Sequence, residues 1–275
     1  MSRRAAVALV AGILTPIHAV AAQGCHGLRR DREAVIAGGY VAAEVGGIAL
    51  RQHDWWTSRP RAIHFIWGHS ASVSQDEFLH ATIAYQVSQG SALLWSWACV
   101  PYRTAGWLGA ATALAVGLPK EIGDGIHEDG FSGADMMWTA IGGVIPALHR
   151  QWPRTRVLQA KMWYWPSREL THRTGPLPSL ENDYAGQRFF ATLNPARDGG
   201  AGGWPAWLGV AVGHGTPAWI SRPPSNVWYL TLDVDLQGIH VHNRWWRPVA
   251  ALADQIHFPA PGLRFAGGRV EAGLF

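Results

Sequence analysis

The 275-residue chain is long enough for one large domain or two small ones, and 48% of its residues are hydrophobic. Its formal charge of +4 is spread without any basic cluster interleaved with aromatic residues, so no nucleic-acid partner is expected. Two cysteines in so long a chain exclude a disulfide scaffold.

The first 22 residues read as a signal peptide. Arg3 and Arg4 precede an apolar stretch from Ala5 to Val20 and a small-residue exit at Ala19-Val20-Ala21, the order that secretion machinery recognises. Pro16 and His18 interrupt the stretch, which is also shorter than the roughly 20 apolar residues of a membrane span. Removing Arg3 and Arg4 from the 23 basic residues leaves 21 against 19 acidic ones, a formal charge of +2. The expected location is therefore the periplasm or outer envelope. Gly24-Cys25 also offers a site for lipoprotein processing and a lipid anchor at Cys25, although Ala22 stands where such sites usually carry Leu. A Cys25 to Cys99 disulfide is chemically allowed after export, but Cys99 lies in the apolar run Leu93 to Val100 and reads first as a buried free thiol. Sixteen tryptophans suit a membrane interface or ligand surface, since one edge of the indole is polar and its body apolar.

Residues 31–152 form the helical part. Apolar spacing predicts helices over Arg32–Arg51, Ser74–Gln89, Thr104–Ile126 with Pro119 as a kink, and Ser132–His149. The longest apolar run, Ala105 to Leu118, suits a buried or interfacial helix. Residues 153–275 alternate, with Pro and Gly at 174–179, 198–205 and 221–225 as punctuation. In Val227–Leu236, Trp228, Leu230, Leu232, Val234 and Leu236 share one face and Tyr229, Thr231, Asp233 and Asp235 the other, as in a half-buried strand. Weaker strands are expected at Val157–Tyr164, Arg188–Leu193, Trp207–Val212 and Arg264–Leu274, and a short helix at Arg244–Ile256. The fold class is α+β: a helical bundle followed by a small antiparallel β-rich region.

Three patches place ionisable residues on otherwise apolar helices. Asp76 and His80 are four apart, Glu121 and Asp124 three apart, and each pair shares a helix face. Asp135 opens the helix after Gly130-Phe131-Ser132. Gathered inside a bundle, such charges must pair, hold a metal or shift in pKa. Asp76, His80, Glu121, Asp124 and Asp135 are therefore the candidate catalytic residues. Of these, His80, Glu121, Asp124 and Asp135 are the candidate ligands for a divalent metal such as Mg, Mn, Ca or Zn.

Plainer readings stand beside these. Ser74 with Glu77 and Ser132 with Asp135 fit capping boxes, which need no chemistry. His127 beside Glu128 and Asp129 fits simple solvation, His64 and His69 fit core or interfacial roles, and His240 and His242 alternate on an extended segment, a spacing that can bind metal but supplies two ligands alone.

The order Asp76 to His80, then Lys120-Glu121-Ile122-Gly123-Asp124-Gly125, then Gly130-Phe131-Ser132 with Asp135 and Gly142, resembles the YfiM-like predicted periplasmic lipoproteins, a domain of unknown function. The stretches Glu181–Gln187, Val227–Asp235 and Phe258–Pro261 resemble the longer members with a C-terminal extension, so the likeness runs from about residue 60 to the end. Glu77 and Thr139 depart from that pattern, where a Lys and an Asn are usual. The resemblance implies export and this architecture but no reaction. A more distant likeness of the His, Glu and Asp order to VanZ-like membrane proteins implies a lipid-side location.

The sequence thus describes an exported envelope protein that binds a metal or a lipid-like ligand in a polar cluster, with envelope lipid as its partner. The alternative is a structural or interaction module in which the cluster is a satisfied hydrogen-bond network and the C-terminal sheet meets a protein partner. In a further alternative the apolar helices insert into the membrane.

Overall fold

The computed structural model describes residues 25, 27–68, 74–168, 183–197, 202–216, 225–243 and 246–275. The expected signal peptide, His69 and the first two residues of the Glu181–Gln187 stretch lie outside them. The architecture is α+β. In chain order it comprises α1 (Arg30–Trp55), β1 (Phe65–Ile66), α2 (Gln75–Trp97), α3 (Tyr102–Gly125), β2 (Phe131–Ser132), α4 (Gly133–Gln151), β3 (Leu158–Tyr164), β4 (Gln187–Leu193), β5 (Leu208–Gly215), β6 (Val227–Val234), α5 (Trp246–Ala253), β7 (Pro261–Ala266) and β8 (Arg269–Leu274).

Helices α2, α3 and α4 pack together through small residues rather than large apolar ones. A Cβ on Gly142 would fall inside the carbonyl of Ala81, and one on Gly109 inside that of Ser88. Backbones can approach this closely only where the side chain is a hydrogen. Ser88 Oγ donates to the Gly143 carbonyl across the same contact at 2.7 Å. The consequence is positional: His80, next to Ala81, and Thr139, nearly one turn before Gly142, are brought face to face.

Helix α1 stands apart. It meets the bundle chiefly where Ile36 and Tyr40 pack on Trp95, Ala98, Val100 and Ala105, and Arg32 lies over the Trp97 ring at 4.9 Å. Its stretch Arg30–Leu50 has a mean hydropathy of 1.4 and is 6% buried, long and apolar enough by length and composition to cross a membrane. Counting uninterrupted apolar residues missed this, because Glu44 and the flanking charges break the run without lowering the mean below that of a span. Its start is tied down by a Cys25–Cys99 disulfide. The reading of Cys99 as a free thiol is thereby corrected: Cys99 sits just past α2 with φ of +64°, turned out of the helical apolar run. The sulfur that a lipid anchor would use is the one engaged in this bond.

The six strands β3 to β8 form one antiparallel meander in sequential order. The final strand expected at Arg264–Leu274 is a hairpin, β7–β8, turned by Gly267 and Gly268 at φ of +54° and +76°, a left-handed conformation that glycine adopts without strain. In β6 the alternation is present but its burial is inverted from the usual pattern. Val227, Tyr229, Thr231 and Asp233 are buried, whereas Trp228 is 46% and Leu230 47% exposed. The outer apolar rows continue across the register through Val212, Leu230 and Leu263. Helix α5 repeats the inversion: Ala250 and, just beyond its end, Asp254 face inward, while Val249, Leu252 and Ile256 are exposed.

What draws the polar face inward is a network of opposite charges. Lys161, fully buried, places Nζ 2.8 Å from Asp233 Oδ2 and 2.8 Å from Asp254 Oδ1. It also donates to the Val234 carbonyl at 3.0 Å. Arg197 pairs with Asp235 at 2.8 Å, and Asn194 donates to the same carboxylate. His257 joins Asp233 to Thr231 and stacks on Phe190. Each buried charge here has partners of opposite sign, the condition under which burial is tolerated.

Candidate functional site

The bundle gathers four of the five predicted residues. Asp76 and His80 lie on α2, one turn apart, with His80 Nε2 3.9 Å from Asp76 Oδ1. Across the Ala81–Gly142 contact, α4 supplies Asp135, and ligand atoms of Asp76, His80 and Asp135 all lie within 4.8 Å of one another. Glu121 of α3 brings Oε1 to 3.7 Å from His80 Nε2. The fifth residue, Asp124, faces elsewhere. It accepts from Lys120 Nζ at 2.8 Å and from Trp56 Nε1 at 2.8 Å. A spacing of three leaves residues about 60° apart around the helix, enough for Glu121 and Asp124 to meet different neighbours.

Local sequence explains why these groups point where they do. Ser132 caps α4, its Oγ accepting from the Asp135 amide at 3.2 Å. The reciprocal half of the expected capping box is missing, since the Ser132 amide donates instead to Glu121 Oε2 at 3.2 Å. Asp135 is thereby left free to face the cluster. The other expected box does not form: Ser74 has φ of +64° and makes no side-chain cap, because a left-handed backbone turns the hydroxyl away from the helix amides. A two-residue parallel ladder, Phe65–Phe131 and Ile66–Ser132, fixes the loop before α4.

His80 is oriented by Thr139, whose Oγ1 lies 3.1 Å from Nδ1. With the proton on Nδ1 donated to that hydroxyl, Nε2 offers its lone pair to the cluster, the arrangement that metal-ligating histidines use. Asp76 is held by the Tyr184 hydroxyl, which donates to Oδ1 at 2.8 Å. Tyr184 comes from the turn before β4, so bundle and sheet meet at the site.

The electrostatics are incomplete from within. Asp135 Oδ1 and Glu121 Oε1 are buried and have no hydrogen-bond partner among the described residues. Contacts of Glu121 Oε1 to His80 at 3.7 Å and Lys120 at 3.9 Å are charge proximity, too long for hydrogen bonds. Burial pushes the Glu121 carboxyl up to about 7, with Lys120 opposing and Asp135 adding to the rise. Burial and the Asp76 charge likewise raise Asp135. Three carboxylates and an imidazole oriented this way can hold a hard or borderline divalent cation, which would satisfy the bare oxygens.

Sequence reasoning missed Thr139 and Tyr184. Thr139 lies four residues after Asp135 and so on the same helix face; for Tyr184 no local signal exists. His127 was read as solvated, but it is buried, with Nδ1 2.6 Å from the Gly123 carbonyl and its ring stacked on Trp56. His64 bonds the Gly125 carbonyl through Nδ1 and Arg61 through Nε2. His240 and His242 are exposed and join no metal-ligand cluster among the described residues.

Comparison of the chain with family models, curated proteins and solved structures returned no match.

Proposed function

We propose that the protein is an exported envelope protein that binds a divalent cation through Asp76, His80 and Asp135, with Glu121 beside them. The observation that carries this reading is the convergence of the three ligand atoms within 4.8 Å where two carboxylate oxygens are buried without partners. Buried unpaired carboxylate is costly, and a cation removes the cost. Export is supported by the leader and by the Cys25–Cys99 disulfide, a bond that persists in oxidising compartments. In its disulfide-bonded form the protein carries no thioether lipid at Cys25. Metal-assisted hydrolysis with Glu121 as general base is the reaction class such a site would support. The resemblance to the YfiM-like family remains part of this proposal and rests on the motif residues alone.

Metal analysis and calorimetric titration of the mature protein with Mn²⁺, Zn²⁺, Mg²⁺ and Ca²⁺ test the reading. One equivalent of one of these ions is expected, lost in His80→Ala and Asp135→Asn and kept in Asp124→Asn. No binding below millimolar concentration, or full binding in the first two variants, overturns it.

The rival reading, a purely structural network, is favoured by one observation. Asp76 and Gln75 tie α2 to the sheet through Tyr184 and Gln187. It predicts that His80→Ala and Asp135→Asn lower stability to the same extent with and without added ion.

A further inference from the structure

The six strands do not lie flat. Residues 256–260 run from beside β3, where Ile256 pairs with Met162, to Ala260, which extends the β7–β8 hairpin by pairing with Phe275. Four Cα steps of about 3.8 Å reach at most about 15 Å. In a flat sheet, five strand spacings of about 4.8 Å would put β7 roughly 24 Å away. The sheet therefore curls around this segment, and His257 within it stacks on Phe190 and bonds Thr231 and Asp233 from the concave side.

This curvature sorts the charges. The register runs through all six strands without a bulge, so alternate residues fall on opposite faces. Lys161, Arg188, Asp233, Arg264, Arg269 and Glu271 are all the Asp, Glu, Lys and Arg residues of these strands, and every one takes the concave face. The strand residues of the convex face include none. The bundle covers one corner of that face, where Phe78 meets the His214 ring at 4.9 Å. Beyond this corner two rows stay exposed, Leu158, Leu193 and Leu232 in one and Val212, Leu230 and Leu263 in the next. Trp228 and Phe265 begin a third, also exposed. From Leu232 to Trp228 the band is about 13 Å tall at about 3.3 Å per residue, close to the roughly 15 Å of hydrocarbon in one leaflet. Exposed tryptophans mark both its ends, Trp228 at one and Trp204 and Trp207, just before β5, at the other. The indole, with its polar edge and apolar body, favours a membrane interface.

A sheet with one face in water turns its polar residues outward. Here the polar face is inside and the uncharged face outside, the order found where the outer medium is hydrocarbon. A convex face meets a second convex copy along a narrow strip, whereas acyl chains conform to it. Helix α1 gives the same chain a second uncovered surface of membrane-like hydropathy. We propose that the convex face of the sheet seats in the hydrocarbon of one lipid leaflet, so that the protein lies on a membrane through Leu230 and its neighbours. This surface uses none of the cation-cluster residues and stands or falls separately from the proposed function.

Co-flotation of the mature protein with vesicles of pure phosphatidylcholine tests the proposal. Neutral lipid is the matching probe because the face carries no charge. Binding is expected, and it is expected to persist in molar sodium chloride, which screens charge attraction. Leu230→Glu is expected to weaken it about tenfold or more, the scale for one leucine withdrawn from hydrocarbon; Val41→Glu, the same charge on exposed α1, is expected to weaken it less. Vesicles brominated on their acyl chains are expected to quench the part of the emission that Trp228→Phe removes, a readout that needs no folded Leu230→Glu protein. His80→Ala is expected to bind as wild type does, which separates this test from that of the cation. No flotation, flotation that salt abolishes, unquenched Trp228, a soluble dimer that Leu230→Glu splits, or a greater loss in Val41→Glu than in Leu230→Glu would each overturn the proposal.

Discussion

The protein buries two groups of charges and treats them differently. In the sheet, Lys161, Asp233 and Asp254 meet at 2.8 Å, and each acid accepts further hydrogen bonds from His257, Leu236 or Gln237. In the bundle, Asp135 and Glu121 each keep a buried oxygen without a partner. The first group carries its cation within the chain. The second is arranged so that a cation from outside would complete it, and that contrast separates a structural network from a candidate site more sharply than burial alone.

The largest expected effect breaks the self-contained group. Lys161→Met strands Asp233 and Asp254 in the sheet interior and is expected to cost about 3–5 kcal/mol, the scale for removing one partner of a buried pair. Urea unfolding followed by circular dichroism measures it. Asp135→Asn in metal-free protein should leave stability unchanged or raise it, because it removes a buried charge that makes no close ion pair among the described residues. A loss above about 3 kcal/mol there would place both groups in the same class.

Next in size is the response to ions. The cation that binds the cluster should stabilise the protein by about 2.7 kcal/mol when present at one hundred times its dissociation constant, seen as a rise in Tm that His80→Ala abolishes and Lys161→Arg does not. Chelator-treated protein should show the opposite trend with pH. The Glu121 carboxyl lies at about 7 in the folded state against an ordinary 4.5, so the native state binds the extra proton between those values. Stability is then greatest below pH 4.5 as far as this group is concerned and declines as pH rises through 7; Glu121→Gln should flatten that decline.

Gly142→Ala sharpens the comparison through packing. The added methyl must displace the Ala81 backbone, at about 1–3 kcal/mol for overpacking. It should weaken cation binding while leaving the sheet network intact, as hydrogen exchange of β6 amides would report. The smallest effect is expected from Ser132→Ala, about 1 kcal/mol for a lost helix cap, read by thermal unfolding.

Much of the bundle was legible in the sequence because helix periodicity is local: Asp76 and His80 had to share a face, and α3 and α4 appear near their expected bounds, whereas α2 runs past the expected end at Gln89 to Trp97. Assembly of the cluster was only permitted by spacing. It depends on Gly142 letting two backbones touch and on Asp124 being claimed by Lys120 and Trp56, neither of which leaves a periodic trace. The strand β6 shows the limit more plainly. Alternation divides Trp228, Leu230 and Leu232 from Thr231 and Asp233, but it carries no information about which set is covered. That choice is made by Lys161 and Arg197, distant in sequence, whose positive charges need the acidic face.

The Cys25–Cys99 bond closes a loop of 74 residues, a constraint on the unfolded chain of about 4 kcal/mol by loop entropy. Because it grips the amino end of α1, of which the Arg30–Leu50 stretch is only 6% buried and whose far end is held by Trp56 on Asp124 and His127, a reducing agent should act on the helix as on a hinge pin being withdrawn. Protease sensitivity between residues 30 and 55 would then rise well before the remaining fold gives way, so that oxidant supply during biogenesis decides whether this arm is docked.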